Sequence, residues 1–172
     1  MYRRSLTSAS SGTSIGLVIT VTVGPAADFG GRQEAHPVKP ETFAADRTLI
    51  EALEKLSQPV ACPEGRTLFI QGEVASGLYI LEQGEAALVL KSPAGRAVMC
   101  LHAGSGSLLG LPGVVGSEPY TMTAMVSKGS EVGFVTRGDF ERLVNAEPSL
   151  YPGVLQVLAA EVRSARRALC DT

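Results

Sequence analysis

Histidine, cysteine and surplus positive charge are all scarce in this chain, and each shortage removes a class of function. Only His36 and His102 occur among 172 residues, which leaves few candidates for imidazole metal ligation or a histidine-based catalytic dyad. Cys62, Cys100 and Cys170 are odd in number and far apart. They suggest neither a disulfide framework nor a zinc site and read as incidental thiols of a reducing cytoplasm, the expected location. Lys and Arg number 15 against 17 Asp and Glu, a formal net charge of −2, without the basic excess of a surface that coats nucleic acid. No apolar run reaches the length of a bilayer span, so no membrane association is expected.

What remains is the make-up of one soluble domain: 45% of residues are hydrophobic, enough in a chain of this length to bury a sizeable core. The N-terminal residues 1–43 are expected to form an extended or disordered arm and linker. Arg3 and Arg4, a Ser/Thr-rich stretch and the apolar residues 15–23 caricature a secretory leader. The β-branched alternation of Val18, Ile19, Val21 and Val23 equally fits an added strand. The domain proper is expected over 44–172.

Its pattern begins with a helix. Asp46 offers an N-cap, and Leu49, Ile50, Leu53 and Leu56 recur at helical spacing, which predicts an amphipathic helix over 47–56. Short apolar runs punctuated by Gly turns follow, predicting strands over 60–61, 67–70, 77–81, 86–90, 97–102, around Leu108 and Leu109, over 121–126 and over 131–136. After Thr136 the period becomes helical over 138–144. Pro148 and Pro152 interrupt it before a last helix from Val154 to about Leu169. Eight strands at this spacing suggest a sandwich or barrel.

The elements Gly65, Leu68-Phe69, Gly72-Glu73, Leu78-Tyr79-Ile80-Leu81 and Gly84 together resemble the opening of the cyclic-nucleotide-binding domain. This is the β-roll of the catabolite activator and Fnr regulators, of cyclic-nucleotide-gated channels and of the protein kinase A regulatory subunit. The likeness extends from about Leu49 to Leu169. It implies a mainly β fold, a double-stranded β-helix of jelly-roll type, with a helix before it and a short plus a long helix after it. It also implies a regulatory module with no catalytic residue, no metal and no cofactor. Its ligand would be cyclic AMP, cyclic GMP or another small effector.

The functional centre of that family is a phosphate-binding cassette, a short helix and loop between two strands. It carries a Gly-Glu-apolar-Gly motif and, eight to ten positions on, an Arg followed by a small residue. Backbone amides and the Arg hold the cyclic phosphate, and the Glu accepts from the ribose hydroxyl. The matching stretch is 105–124, where Leu109-Gly110-Leu111 fits the apolar-Gly core, Leu108 is read at the acidic position, and the Arg position falls on Pro119 or Tyr120. Thr121 follows it as the small residue. Both charged contacts are therefore missing. A charge-assisted bond contributes roughly 1.5–3 kcal/mol, so losing the Arg alone weakens a cyclic nucleotide by about one to two orders of magnitude. Arg96, on a hairpin, and Arg163 or Arg166, on the last helix, are the candidates for a replacement cation. These helix arginines equally suit the C-terminal end of a helix dipole.

On the last helix Leu155, Leu158, Val162, Ala165 and Leu169 recur at spacings of 3, 4, 3 and 4. The spacing is that of a heptad seam joining two subunits, or of a face packed on its own roll. Catabolite-activator relatives continue from this helix into a helix-turn-helix domain, whereas this chain stops at Thr172, so direct DNA binding is not expected. Three readings stand. The first is a sensor module with altered or lost cyclic nucleotide affinity that passes a signal through its last helix to a homodimer partner or a separate effector protein. The second is a ligand-free dimerisation or docking scaffold of the same fold. The third is a cupin-like metal enzyme, for which His102 is the only histidine in the core region.

Overall fold

The computed structural model describes residues 43–170; the arm and linker expected over 1–43 lie, but for Phe43, outside them. Helix α1 spans Arg47–Glu54. Asp46 caps it as expected, its carboxylate accepting from the Leu49 amide at 2.8 Å, which satisfies one of the orphan donors of the first turn. Leu49 and Leu53 are buried. The helix ends before Leu56, which turns outward and is exposed.

Eight strands follow: β1 (Gln58–Val60), β2 (Arg66–Phe69), β3 (Gly77–Gln83), β4 (Glu85–Lys91), β5 (Ala97–Gly104), β6 (Ser107–Leu109), β7 (Thr123–Val126) and β8 (Glu131–Thr136). They form two four-stranded antiparallel sheets with orders β1-β8-β3-β6 and β2-β7-β4-β5. Neighbours in chain order mostly fall in opposite sheets or pair across a hairpin, the winding of a jelly roll. The fold class expected from the spacing of turns and apolar runs is the one observed. Alternation explains the inner face: in β4, Ala86 and Leu88 are buried while Glu85 and Lys91 are exposed, as a sheet with one wet side requires. Strand β3 departs from alternation, with Leu78, Ile80 and Leu81 all buried, because a helix covers its outer side as well.

That covering helix is α3 (Arg137–Ala146), which packs on β3 and β8. Thr136 caps it, its hydroxyl accepting from the Asp139 amide at 3.1 Å. Between β6 and β7 lies a six-residue helix, α2 (Leu111–Gly116). The last helix, α4, runs over Tyr151–Cys170 and lies against β5. It begins earlier than the expected Val154. Pro152 falls in its first turn, where a backbone N–H has no intrahelical partner and a fixed φ suits the helix, so this proline starts the helix instead of stopping it. Strand β7 likewise begins at Thr123, not Thr121, because Ser117 to Met122 is occupied in closing the loop after α2. Gly153 brings the start of α4 against α1: a Cβ there would lie 2.5 Å from Asp46 Oδ2.

Candidate functional site

The loop between β6 and β7 is built by a glycine and held by a tyrosine. Gly110 adopts φ +83° and caps α2 without a side chain; any Cβ at this position would meet the Tyr120 ring at 2.8 Å and that of Phe69 at 3.3 Å. Only glycine meets both demands. At the far end of the loop Tyr120 is fixed from three sides. Its backbone pairs with the turn after β2, the Tyr120 amide donating to Glu73 O at 2.9 Å and Gly72 N donating to Tyr120 O at 2.8 Å. Its ring stacks on Phe69 with centroids 4.0 Å apart and planes 19° from parallel. Its hydroxyl donates to Gly77 O at 2.6 Å and accepts from Gly77 N at 3.4 Å.

The cavity left between this loop, Phe69, Leu88 and Met122 is about 10 Å³, the size that admits at most one water. Gly110, Gly113, Tyr120 and Thr121 line it from the loop, together with Pro112. Pro112 occupies a first-turn position of α2 and so removes one of the amides that an anion would use there. Glu161 reaches in from α4. Burial pushes the Glu161 carboxyl up to about 7, because no opposing charge offsets the loss of water around it. Among the described residues no Lys or Arg lines the cavity.

Of the residues expected at the site, the structure gathers Gly110, Tyr120 and Thr121 around the cavity. Leu108 and Leu109 are placed elsewhere. They lie on β6, paired with Ile80 and Tyr79 and buried in the core. Helix α2 starts at Leu111, with Gly110 as its cap. Leu111 is itself fully buried and carries no acceptor. The replacement cations also lie elsewhere. Arg96 is exposed in the β4–β5 turn, its carbonyl accepting from Ser92 N at 2.8 Å, and Arg163 and Arg166 are exposed on α4. None of the three lines the cavity.

Glu161, Pro112 and Phe69 were not anticipated. A signal for Glu161 existed: it stands four residues after the buried Val157 and three before the buried Ser164, a carboxylate on the apolar face of an amphipathic helix. The heptad residues divide between two surroundings. Leu158 and Ala165 pack against the protein's own core, whereas Leu155, Val162 and Leu169 are 63%, 49% and 63% exposed. Among the described residues no group of three or more His, Cys, Asp and Glu side chains comes together, so the cupin-like reading finds no donor set there. Nor is any described helix long and apolar enough to cross a membrane.

A family model described as the cyclic nucleotide-binding domain matches residues 59–147, just over half of the chain. A CRP-like cAMP-activated global transcriptional regulator from Mycobacterium tuberculosis is 28% identical over 122 residues, 71% of this chain and 54% of that protein. The chain thus spans about half the length of the curated relatives it matches. Among solved structures, the catabolite activator protein of Thermus thermophilus superposes with a TM-score of 0.59 at 22% identity, over 72% of this chain and 58% of that one. The N-terminal domain of a transcriptional regulator from Streptomyces coelicolor superposes with a TM-score of 0.54 at 24% identity, over 78% and 97%.

Proposed function

The chain belongs to the cyclic nucleotide-binding domain family, and on that premise we propose that it is a ligand-sensing regulatory domain whose phosphate cassette no longer takes a cyclic nucleotide. One observation carries this reading. The loop between β6 and β7 leaves a cavity of only about 10 Å³, with Tyr120 stacked on Phe69 and Glu161 over it. A cyclic nucleotide is far larger than this space and carries a negative charge. To enter, it must displace the Tyr120 ring, break the hydroxyl bond to Gly77 and approach a carboxyl that is ionised above about pH 7. No lining cation repays those costs.

The signal would leave through α4, since Glu161 joins this helix to the cavity while Leu155, Val162 and Leu169 face away from the roll. An effector that draws Glu161 out of the cavity or holds it there biases the seating of the helix. The exposed apolar stripe also favours a second reading, a roll kept as a dimerisation scaffold with an empty cassette. In that reading two α4 helices pair through Leu155, Val162 and Leu169 irrespective of ligand.

Calorimetric titration with cyclic AMP and cyclic GMP tests the proposal. The expected result is no saturable heat down to a dissociation constant of about 1 mM, or −4.1 kcal/mol. Saturable binding near 100 μM or tighter, about −5.5 kcal/mol, would refute the closed cassette. Light scattering over a dilution series, with and without nucleotide, separates the two readings. A dimer indifferent to every small molecule tried is the scaffold's mark.

A further inference from the structure

We propose that the groove between the edge strands β1 and β2, at the margin where the two sheets face each other, is a second small-molecule site that takes an aromatic carboxylate. It is separate from the cassette and independent of the reading given above. Its cavity measures about 340 Å³, within the range of ordinary ligand sites and far above the 10 Å³ left in the cassette.

The chemistry of the groove is uneven in a way that selects a ligand. Tyr79 and Phe134 form an aromatic wall, with ring centroids 4.8 Å apart and planes 47° from parallel. The wall is rigid, because the Tyr79 hydroxyl is spent on Leu68 O at 3.1 Å. Val60 and Leu68 extend the apolar surface, so the body of a ligand would be an unsaturated ring stacked or tilted on these faces.

Arg66 supplies the only charge among the lining residues. Its guanidinium donates a single long bond, to Ala61 O at 3.5 Å, and no carboxylate pairs with it among the described residues. A planar fork of donors left largely unspent beside an aromatic wall matches a carboxylate bidentately. The strand backbone adds little competition, because Pro59 in the middle of β1 has no amide to offer. One fixed positive charge and no negative one makes the preferred ligand a monoanion.

Naphthoate and its uncharged amide, naphthamide, are suitable probes, read by backbone amide shifts on the full chain. The site predicts saturable naphthoate shifts at Gln58, Val60 and Ala61, over 66–68 and at Tyr79, with a dissociation constant below about 1 mM. Naphthamide should bind roughly 10-fold or more weakly, and Arg66→Gln should weaken naphthoate by a similar factor without moving the melting temperature, since Arg66 is exposed. Ala61→Trp, at an exposed position of the rim, should block the groove in a protein that stays folded. Absence of saturation up to about 5 mM naphthoate, shifts centred on Gly113 and Tyr120 instead, or undiminished affinity in Arg66→Gln would each overturn the assignment.

Discussion

Replacing Glu161 by Gln isolates the electrostatic state of the cassette. Burial raises this carboxyl from its ordinary 4.5 to about 7, and the sign of its effect on stability follows by linkage. Below the unfolded value both states hold the proton and the group is neutral to folding. As pH rises between the two values, the unfolded chain releases the proton while the folded chain keeps it, so stability falls. Above about 7 the loss is complete. At about 1.4 kcal/mol per pH decade the full loss is about 3 kcal/mol. Escape of the half-buried side chain toward water reduces it, leaving about 1–3 kcal/mol. Its neighbours one helical turn away on α4 are Val157, Leu158, Ser164 and Ala165, and none of the other cavity residues is Asp, Glu, His, Lys or Arg, so none of these described neighbours masks the effect. Glu161→Gln should therefore stabilise the protein by about 1–3 kcal/mol near pH 8, a rise of roughly 3–10 °C in melting temperature for a chain of this size. The gain should nearly vanish close to the unfolded value, by about pH 4. Thermal and urea unfolding of both proteins at the two pH values provide the comparison. An equal difference at both, or a variant less stable at the higher pH, would refute a buried carboxyl over the cassette.

Tyr120→Phe removes a hydroxyl held at 2.6 Å by the buried Gly77 carbonyl and should cost about 1–2 kcal/mol in urea unfolding, with the roll intact by circular dichroism. Gly110→Ala places a Cβ 2.8 Å from the Tyr120 ring at φ +83° and should cost about 2 kcal/mol or more; a neutral result would mean the loop is not built as described. Asp46→Ala deletes the α1 cap and should lower stability by about 1 kcal/mol, read from the urea midpoint. Leu155→Asp and Leu169→Asp, at the exposed positions of α4, should halve the mass seen by light scattering if the stripe pairs two copies, with the melting temperature of the roll preserved. Leu158→Asp is a poorer probe of pairing, because Leu158 packs on the protein's own core.

Most strands were legible because their determinants are local. Between β3 and β4 the chain turns at Gly84, which takes φ +100°, and a turn of that kind is written in the residue itself. The misplaced boundaries came from residues with two meanings. Pro152 reads as a break until its position in the first turn of α4 is known. Leu108 reads both as part of a strand and at the acidic position of the cassette; the strand is observed, with β6 holding it in register with Ile80. The heptad along α4 was real as a pattern and ambiguous as a surface, since one spacing serves two partners: Leu158 turned to the roll and Leu155 to solvent.

From the sequence alone came the alternation that makes eight strands, the cap at Asp46, the family resemblance and the reading of a cassette without charged residues, with Leu108 at the acidic position and Pro119 or Tyr120 at the Arg position. Each depends on residue type and short-range order, which the chain carries wherever it goes. Only the tertiary structure decided how little space the loop after β6 leaves, a cavity of about 10 Å³. That outcome needs Phe69 from β2, Tyr120 from the loop after α2 and Glu161 from α4 to meet, and contacts between side chains so distant along the chain are set by how the two sheets and the last helix pack.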